Sequence, residues 1–127
     1  MVLRDLDAHK DCKVLKQRLL DLCAEGGRLQ TLVRIACREL ESFYLADLAA
    51  VEKGLKLSGL AQLQEKVKFR SPDRLSSPSE ELRRLTGNTY QRVAGSRAIA
   101  PHLNLDNQRS DSFKNLISGL RRRQEQA

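Results

Sequence analysis

The first 70 residues contain no proline, and apolar side chains recur through them at alternating spacings of three and four. The stripe consists of Cys12, Leu15, Leu19, Leu22, Leu29, Val33, Ala36, Leu40 and Phe43, with Gly26 at the one missing step. Because an α-helix turns once in about 3.6 residues, this spacing keeps all of these side chains on one face. The pattern is typical of helices that pack along a seam.

The glycine pair Gly26-Gly27 interrupts this stripe. Two glycines inside a helix cost about 2 kcal/mol relative to alanine. A turn at this pair would give an antiparallel hairpin of helices over about residues 3–24 and 28–53. The alternative is one helix of about 44 residues that keeps the heptad phase across Gly26 and needs a partner chain. The periodicity does not decide between the two, and we favour the hairpin because its helices match in length.

The character of the chain changes after Arg70, where Ser-Pro steps begin. Ser77 can cap a helix, Pro78 fits its first turn and Glu80 stands at the capping-box position, which predicts a short helix that starts there. Residues 88–109 show no period and are predicted to be loop or extended. A final amphipathic helix is predicted from Ser110 or Asp111.

These patterns predict an all-α fold in two parts. Residues 1–70 are expected to form a helical hairpin or small bundle with a coiled-coil-like seam. Residues 71–127 are expected to form a partly extended, basic C-terminal arm with two short helices. The core would be rich in leucine, alanine and valine, which suits packing between helices.

No motif in the sequence points to catalysis, a metal or a cofactor. His9 and His102 have no serine or cysteine partner at a recognisable spacing. His9 and Cys12 share a predicted helix face, but the paired ligands of structural zinc sites do not occur. Phosphate-binding glycine loops are also lacking. We therefore predict a protein that is not an enzyme, with no catalytic, cofactor-binding or metal-binding residues.

The cysteines and the hydropathy pattern favour an intracellular location. The three cysteines are odd in number and lie on or beside the apolar stripe, which is typical of buried thiols in a reducing compartment. No apolar run is long enough to span a membrane, and the N-terminal residues lack the pattern of a secretory signal. The expected location is the cytoplasm or the nucleus.

The function that this outline favours is helix-mediated binding to other proteins, as an adaptor, a chaperone or a small subunit of a larger assembly. A homodimer through the seam is one form of this prediction. Surplus apolar residues of the first segment would face the partner, unless they complete a wider core: Leu20, Leu32, Ile35 and Leu45. The C-terminal helix would bind in a partner's groove through Phe113, Leu116, Ile117 and Leu120.

The alternative function is association with nucleic acid. The chain has 23 lysines and arginines against 16 aspartates and glutamates, a net charge of +7, which favours anionic partners. The candidate phosphate contacts are Arg83, Arg84, Arg121, Arg122 and Arg123. This function ranks second because aromatic residues for base stacking are scarce, with three phenylalanines, two tyrosines and no tryptophan.

Overall fold

The computed structural model of the chain describes residues 1–6, 11–28, 30–36 and 38–126. Within these ranges the protein is mostly helical, with one small parallel sheet of two strands. Three residues that entered the sequence argument, His9, Leu29 and Cys37, lie outside the described residues.

The sheet is built from a β-α-β unit at the start of the chain. Strand β1 (Val2–Asp5) leads to helix α1 (Cys12–Glu25), and the chain returns as strand β2 (Val33–Ala36). The strands pair in parallel with Val2 opposite Val33, which requires a crossover such as α1. The prediction of an all-α fold was therefore wrong for these strands. The stripe residues Val33 and Ala36 lie in β2, because a short apolar run with β-branched residues suits a strand as well as a helix.

Helix α1 ends at the glycine pair. The Gly26 N–H donates to the Leu22 carbonyl at 3.2 Å, and the Arg28 N–H donates to the Cys23 carbonyl at 2.7 Å. Gly27 has a φ of 82°, a left-handed conformation that glycine adopts without strain. The turn expected at the glycines is present, and the continuous helix is excluded. The chain then enters β2, so a second long helix does not follow and the predicted hairpin is not formed.

Six helices follow β2 in the described residues: α2 (Glu41–Leu45), α3 (Leu48–Gly54), α4 (Val67–Arg70), α5 (Pro78–Leu85), α6 (Arg92–Ile99) and α7 (Asp111–Gln126). Short 3-10 helices at Ala61–Glu65, Pro72–Arg74 and Ala100–His102 connect some of them. The starts of α5 and α7 lie where the capping pattern and the apolar spacing predicted them. Helix α6 falls in the segment predicted to be loop, because eight residues with few large apolar side chains leave no visible period.

The core draws on both halves of the sequence. It is formed mainly by Leu45, Leu48, Val51, Phe69, Leu82, Tyr90, Ile99, Phe113 and Leu116, all of them buried. Helix α2 packs against α5, α3 packs against α6, and both α1 and α7 contact β2. Residues of α1 and α7 line shared grooves near β2, which are described below. The boundary near residue 70 stays a prediction.

Candidate functional site

Three of the eight predicted partner-binding residues lie in the core. Leu45, Phe113 and Leu116 are 0, 4 and 7% exposed, and the Phe113 ring packs edge-on against Phe43 with centroids 5.2 Å apart. In this structure they cannot form a docking surface. An amphipathic face has the same spacing whether it is covered by its own chain or by a partner, and here the chain covers it.

The remaining five residues lie at or near the surface. Leu20, Leu32, Ile35 and Ile117 are partly buried, whereas Leu120 is 39% exposed. Two of them, Leu32 and Leu120, line the same groove. The structure thus brings together Leu32, which precedes β2, and Leu120 of the C-terminal helix α7.

This apolar groove lies where the end of α1, the start of β2 and the end of α7 meet. Its cavity volume is about 820 Å³. Its apolar lining comes mainly from Met1, Val2, Cys23, Leu32 and Leu120, and two cationic side chains, Arg28 and Arg123, also line it. Met1 is 63% exposed. The groove therefore offers open apolar surface next to positive charge.

A second, basic groove adjoins the first and shares Leu32 and Arg123 with it. Arg34, Arg122 and Arg123 line a cavity of about 610 Å³. Burial lowers the pKa of Arg34, and the neighbouring charges of Arg122 and Arg123 lower it further. Within the part of the chain that the structure describes, none of these arginines forms an ion pair with a carboxylate. The groove concentrates positive charge that no carboxylate of the described residues pairs with.

The five arginines predicted to contact phosphate do not form one site. Arg83 and Arg84 are exposed on α5, where Arg84 pairs with Glu81 at 3.4 Å. Arg121 pairs with Asp106 at 3.1 Å. Arg122 and Arg123 line one groove, and Arg34 completes their cluster. Arg34 was missed because its segment was predicted to be helical, and no sequence signal links it to α7.

The carboxylates near the ends of the two strands serve structural contacts. The Asp5 Oδ1 accepts from the Leu40 N–H at 2.7 Å, and the Glu39 carboxylate accepts from the Ser79 hydroxyl at 2.9 Å. Arg92 pairs with Glu39 at 3.6 Å and with Glu41 at 3.8 Å. Burial raises the pKa of Glu41, and the charges of Asp5 and Glu39 raise it further.

Among the residues that the structure describes, no group of three or more histidine, cysteine or acidic side chains is arranged to hold a metal ion. In the same ranges, no helix combines the length and the apolar character needed to cross a bilayer.

Comparison with known proteins identifies a family. No curated protein and no solved structure matches the chain. A family model described as "Domain of unknown function (DUF4276)" matches residues 1–121. Since this match covers nearly the whole chain, the protein belongs to the DUF4276 family.

Proposed function

We propose that the protein is a non-enzymatic binding module that holds an amphipathic helix of a partner protein in the apolar groove. The observation that carries the proposal is the groove itself, where Leu32 and Leu120 leave apolar surface open beside Met1. Binding of a partner's apolar side chains there would remove this surface from water, which is the main driving force of association.

The charges around the groove indicate the charge that a partner helix would carry. Arg28 and Arg123 line it, and none of the described residues that line it is acidic. Opposite charges across an interface guide association and fix the orientation of the partner. The proposed occupant is therefore a helix with an apolar stripe and acidic flanks. An adaptor, a chaperone or a small subunit of an assembly would bind in this way.

Substitution of Leu120 tests the proposal. Tagged wild-type protein and the Leu120→Gln variant are compared in pull-downs from native lysate with nuclease, washed at low and high salt and quantified by mass spectrometry. We expect one stoichiometric protein whose recovery falls at least about 10-fold in the variant, since a central apolar contact carries much of the binding energy.

Val67→Gln is the matched control, because Val67 is an apolar residue on α4 that is 80% exposed and is not among the residues that line the groove. Its recovery of the partner should equal that of the wild type. Equal recovery by Leu120→Gln and wild type would contradict the proposal.

Nucleic-acid association is the second candidate, and one observation favours it. Lys13, Lys16 and Arg122 line a cavity of about 390 Å³ together with Arg34, next to the basic groove. These four cations outnumber the carboxylate of Asp111, which also lines the cavity, and an excess of cations suits a phosphate backbone. The same pull-down separates the two functions. A mixed set of proteins that disappears with nuclease or high salt would favour nucleic acid, because phosphate contacts weaken steeply with salt.

A further inference from the structure

Neutral partners hold two of the three arginines of the basic groove, Arg34 and Arg123. The Arg34 Nε donates to the Asn115 carbonyl at 2.9 Å, and its Nη1 donates to the Val33 carbonyl at 2.8 Å. The Arg123 Nη2 donates to the Gln30 carbonyl. Backbone carbonyls orient a guanidinium without cancelling its charge. The fold therefore positions Arg34 and Arg123, and both keep their capacity to bind an anion.

A glycine on α7 makes room for Arg34. A Cβ atom at Gly119 would lie 2.8 Å from the Arg34 Nη2 and 3.0 Å from its Nε. Such distances are too short for a contact between carbon and nitrogen, so any larger residue would displace the guanidinium. The missing side chain allows Arg34 to lie against α7, next to Arg122 and Arg123.

We propose that Arg34, Arg122 and Arg123 form a binding site for a phosphate dianion, either free phosphate or a terminal phosphate monoester. A phosphate monoester presents three acceptor oxygens and nearly two negative charges at neutral pH. A carboxylate presents two oxygens and one charge. Guanidinium groups match the geometry of phosphate oxygens with paired N–H donors. Three neighbouring guanidiniums therefore fit phosphate better than an acidic side chain.

The other role open to these arginines is to stabilise the negative end of the α7 dipole. That role needs only Arg122 and Arg123 on the helix itself. The proposed site also needs Arg34 from β2. A substitution that moves Arg34 and leaves the helix charges in place therefore distinguishes the two roles.

Inorganic phosphate is the first probe, titrated into the full chain by isothermal calorimetry at constant ionic strength set with sodium chloride. We expect saturable binding of one phosphate per chain. Arg122→Ala/Arg123→Ala should weaken it at least about 10-fold, since hydrogen bonds to charged groups are among the strongest in proteins. Arg83→Ala/Arg84→Ala removes the same charge from exposed positions on α5 and should bind as the wild type does. Absence of saturable binding by the wild type, or equal weakening in both double variants, would overturn the proposal.

Gly119→Ala is the test that leaves the net charge unchanged. It should keep the helical circular dichroism of the wild type, because alanine suits a helix better than glycine, and should weaken phosphate binding at least about 10-fold. Wild-type affinity in this variant would leave only the dipole role. If the variant unfolds, Arg34→Lys serves instead, since it keeps the charge and removes the paired donors.

Two further ligands test whether the site binds a phosphate monoester or a phosphodiester. Adenosine monophosphate carries a monoester, and a single-stranded oligonucleotide without terminal phosphates carries diesters only. Binding of inorganic phosphate is the expected result, with or without binding of the monoester, and binding of the oligonucleotide alone would refute the site in favour of backbone contacts. The site does not rest on the partner proposed above. Leu120→Gln is expected to keep phosphate binding, so either proposal can fail without the other.

Discussion

At the scale of single residues, several buried polar groups of this protein are satisfied by distant parts of the chain. Gln64 is 6% exposed. Its Oε1 accepts from the Leu48 N–H at 2.8 Å, and its Nε2 donates to the carbonyls of Leu45 and Phe69 at 2.9 and 2.8 Å. A buried amide without such partners would cost about 1–3 kcal/mol. Nothing in the sequence around Gln64 indicates this role.

The buried carboxyl of Glu41 should make the stability of the protein depend on pH. Because its folded-state pKa is raised above the usual 4.5, the folded protein favours the protonated carboxyl. The free energy of unfolding therefore decreases as the pH rises from below 4.5 through the folded-state pKa. We expect Glu41→Gln to be more stable than the wild type at pH 7 and to lose this advantage towards pH 4, as measured by urea unfolding. Glu125→Gln, at an exposed position on α7, is the control. A constant difference across this pH range would contradict the prediction.

At the scale of elements, the close approach of α3 and α6 depends on one glycine. A Cβ atom at Gly54 would lie 2.6 Å from the Ala98 carbonyl oxygen and 2.8 Å from the Ile99 Cα. These are backbone atoms, so the conflict cannot be relieved by a change of rotamer. The pair of helices could not keep this spacing with a larger residue.

We therefore predict that Gly54→Ala lowers the free energy of unfolding by about 1–3 kcal/mol, as overpacking does, despite the better helix propensity of alanine. Chemical denaturation measures the effect. Gly26→Ala is the matched control, since its Cβ would have its nearest neighbours at 3.6 and 3.7 Å. Gly26→Ala is expected to change stability by less than about 0.5 kcal/mol. Equal effects at both glycines would show that α3 and α6 can separate without cost.

At the scale of the whole molecule, the last helix completes a core that begins with the first half of the chain. Phe113 of α7 packs against Phe43 of α2, and both belong to the same buried cluster as Tyr44, Leu82 and Tyr90. Loss of the packing of α7 should therefore lower the stability of the whole core.

The variant Phe113→Ala tests this coupling. It should lower the free energy of unfolding by about 3–5 kcal/mol, the usual cost of a phenylalanine-sized cavity. Circular dichroism and the fluorescence of Tyr44 and Tyr90 should change in one shared transition. Leu120→Ala, at a residue that is 39% exposed, should have a much smaller effect. Selective loss of α7 with an intact first half would instead support its role as a separate docking helix.

Several features of the fold could be predicted from the local sequence. Gly26-Gly27 predicted the end of α1, Ser77-Pro78 predicted the start of α5, and the apolar spacing after Ser110 predicted α7. These features depend on neighbouring residues: the freedom of glycine, the fixed φ of proline and the period of a helix. The mostly helical character of the chain follows from the same local preferences.

Tertiary structure alone decided the rest. Residues 33–36 form a strand because β1 lies beside them to pair with, and no local signal shows that neighbour. Phe113 and Leu116 are core residues because the fold covers their face. Arg34 joins Arg122 and Arg123 only because α7 packs on β2. The sequence by itself determined the end of α1 and the starts of α5 and α7, because these depend on neighbouring residues, whereas contacts between distant segments decided which faces are buried and which charges meet.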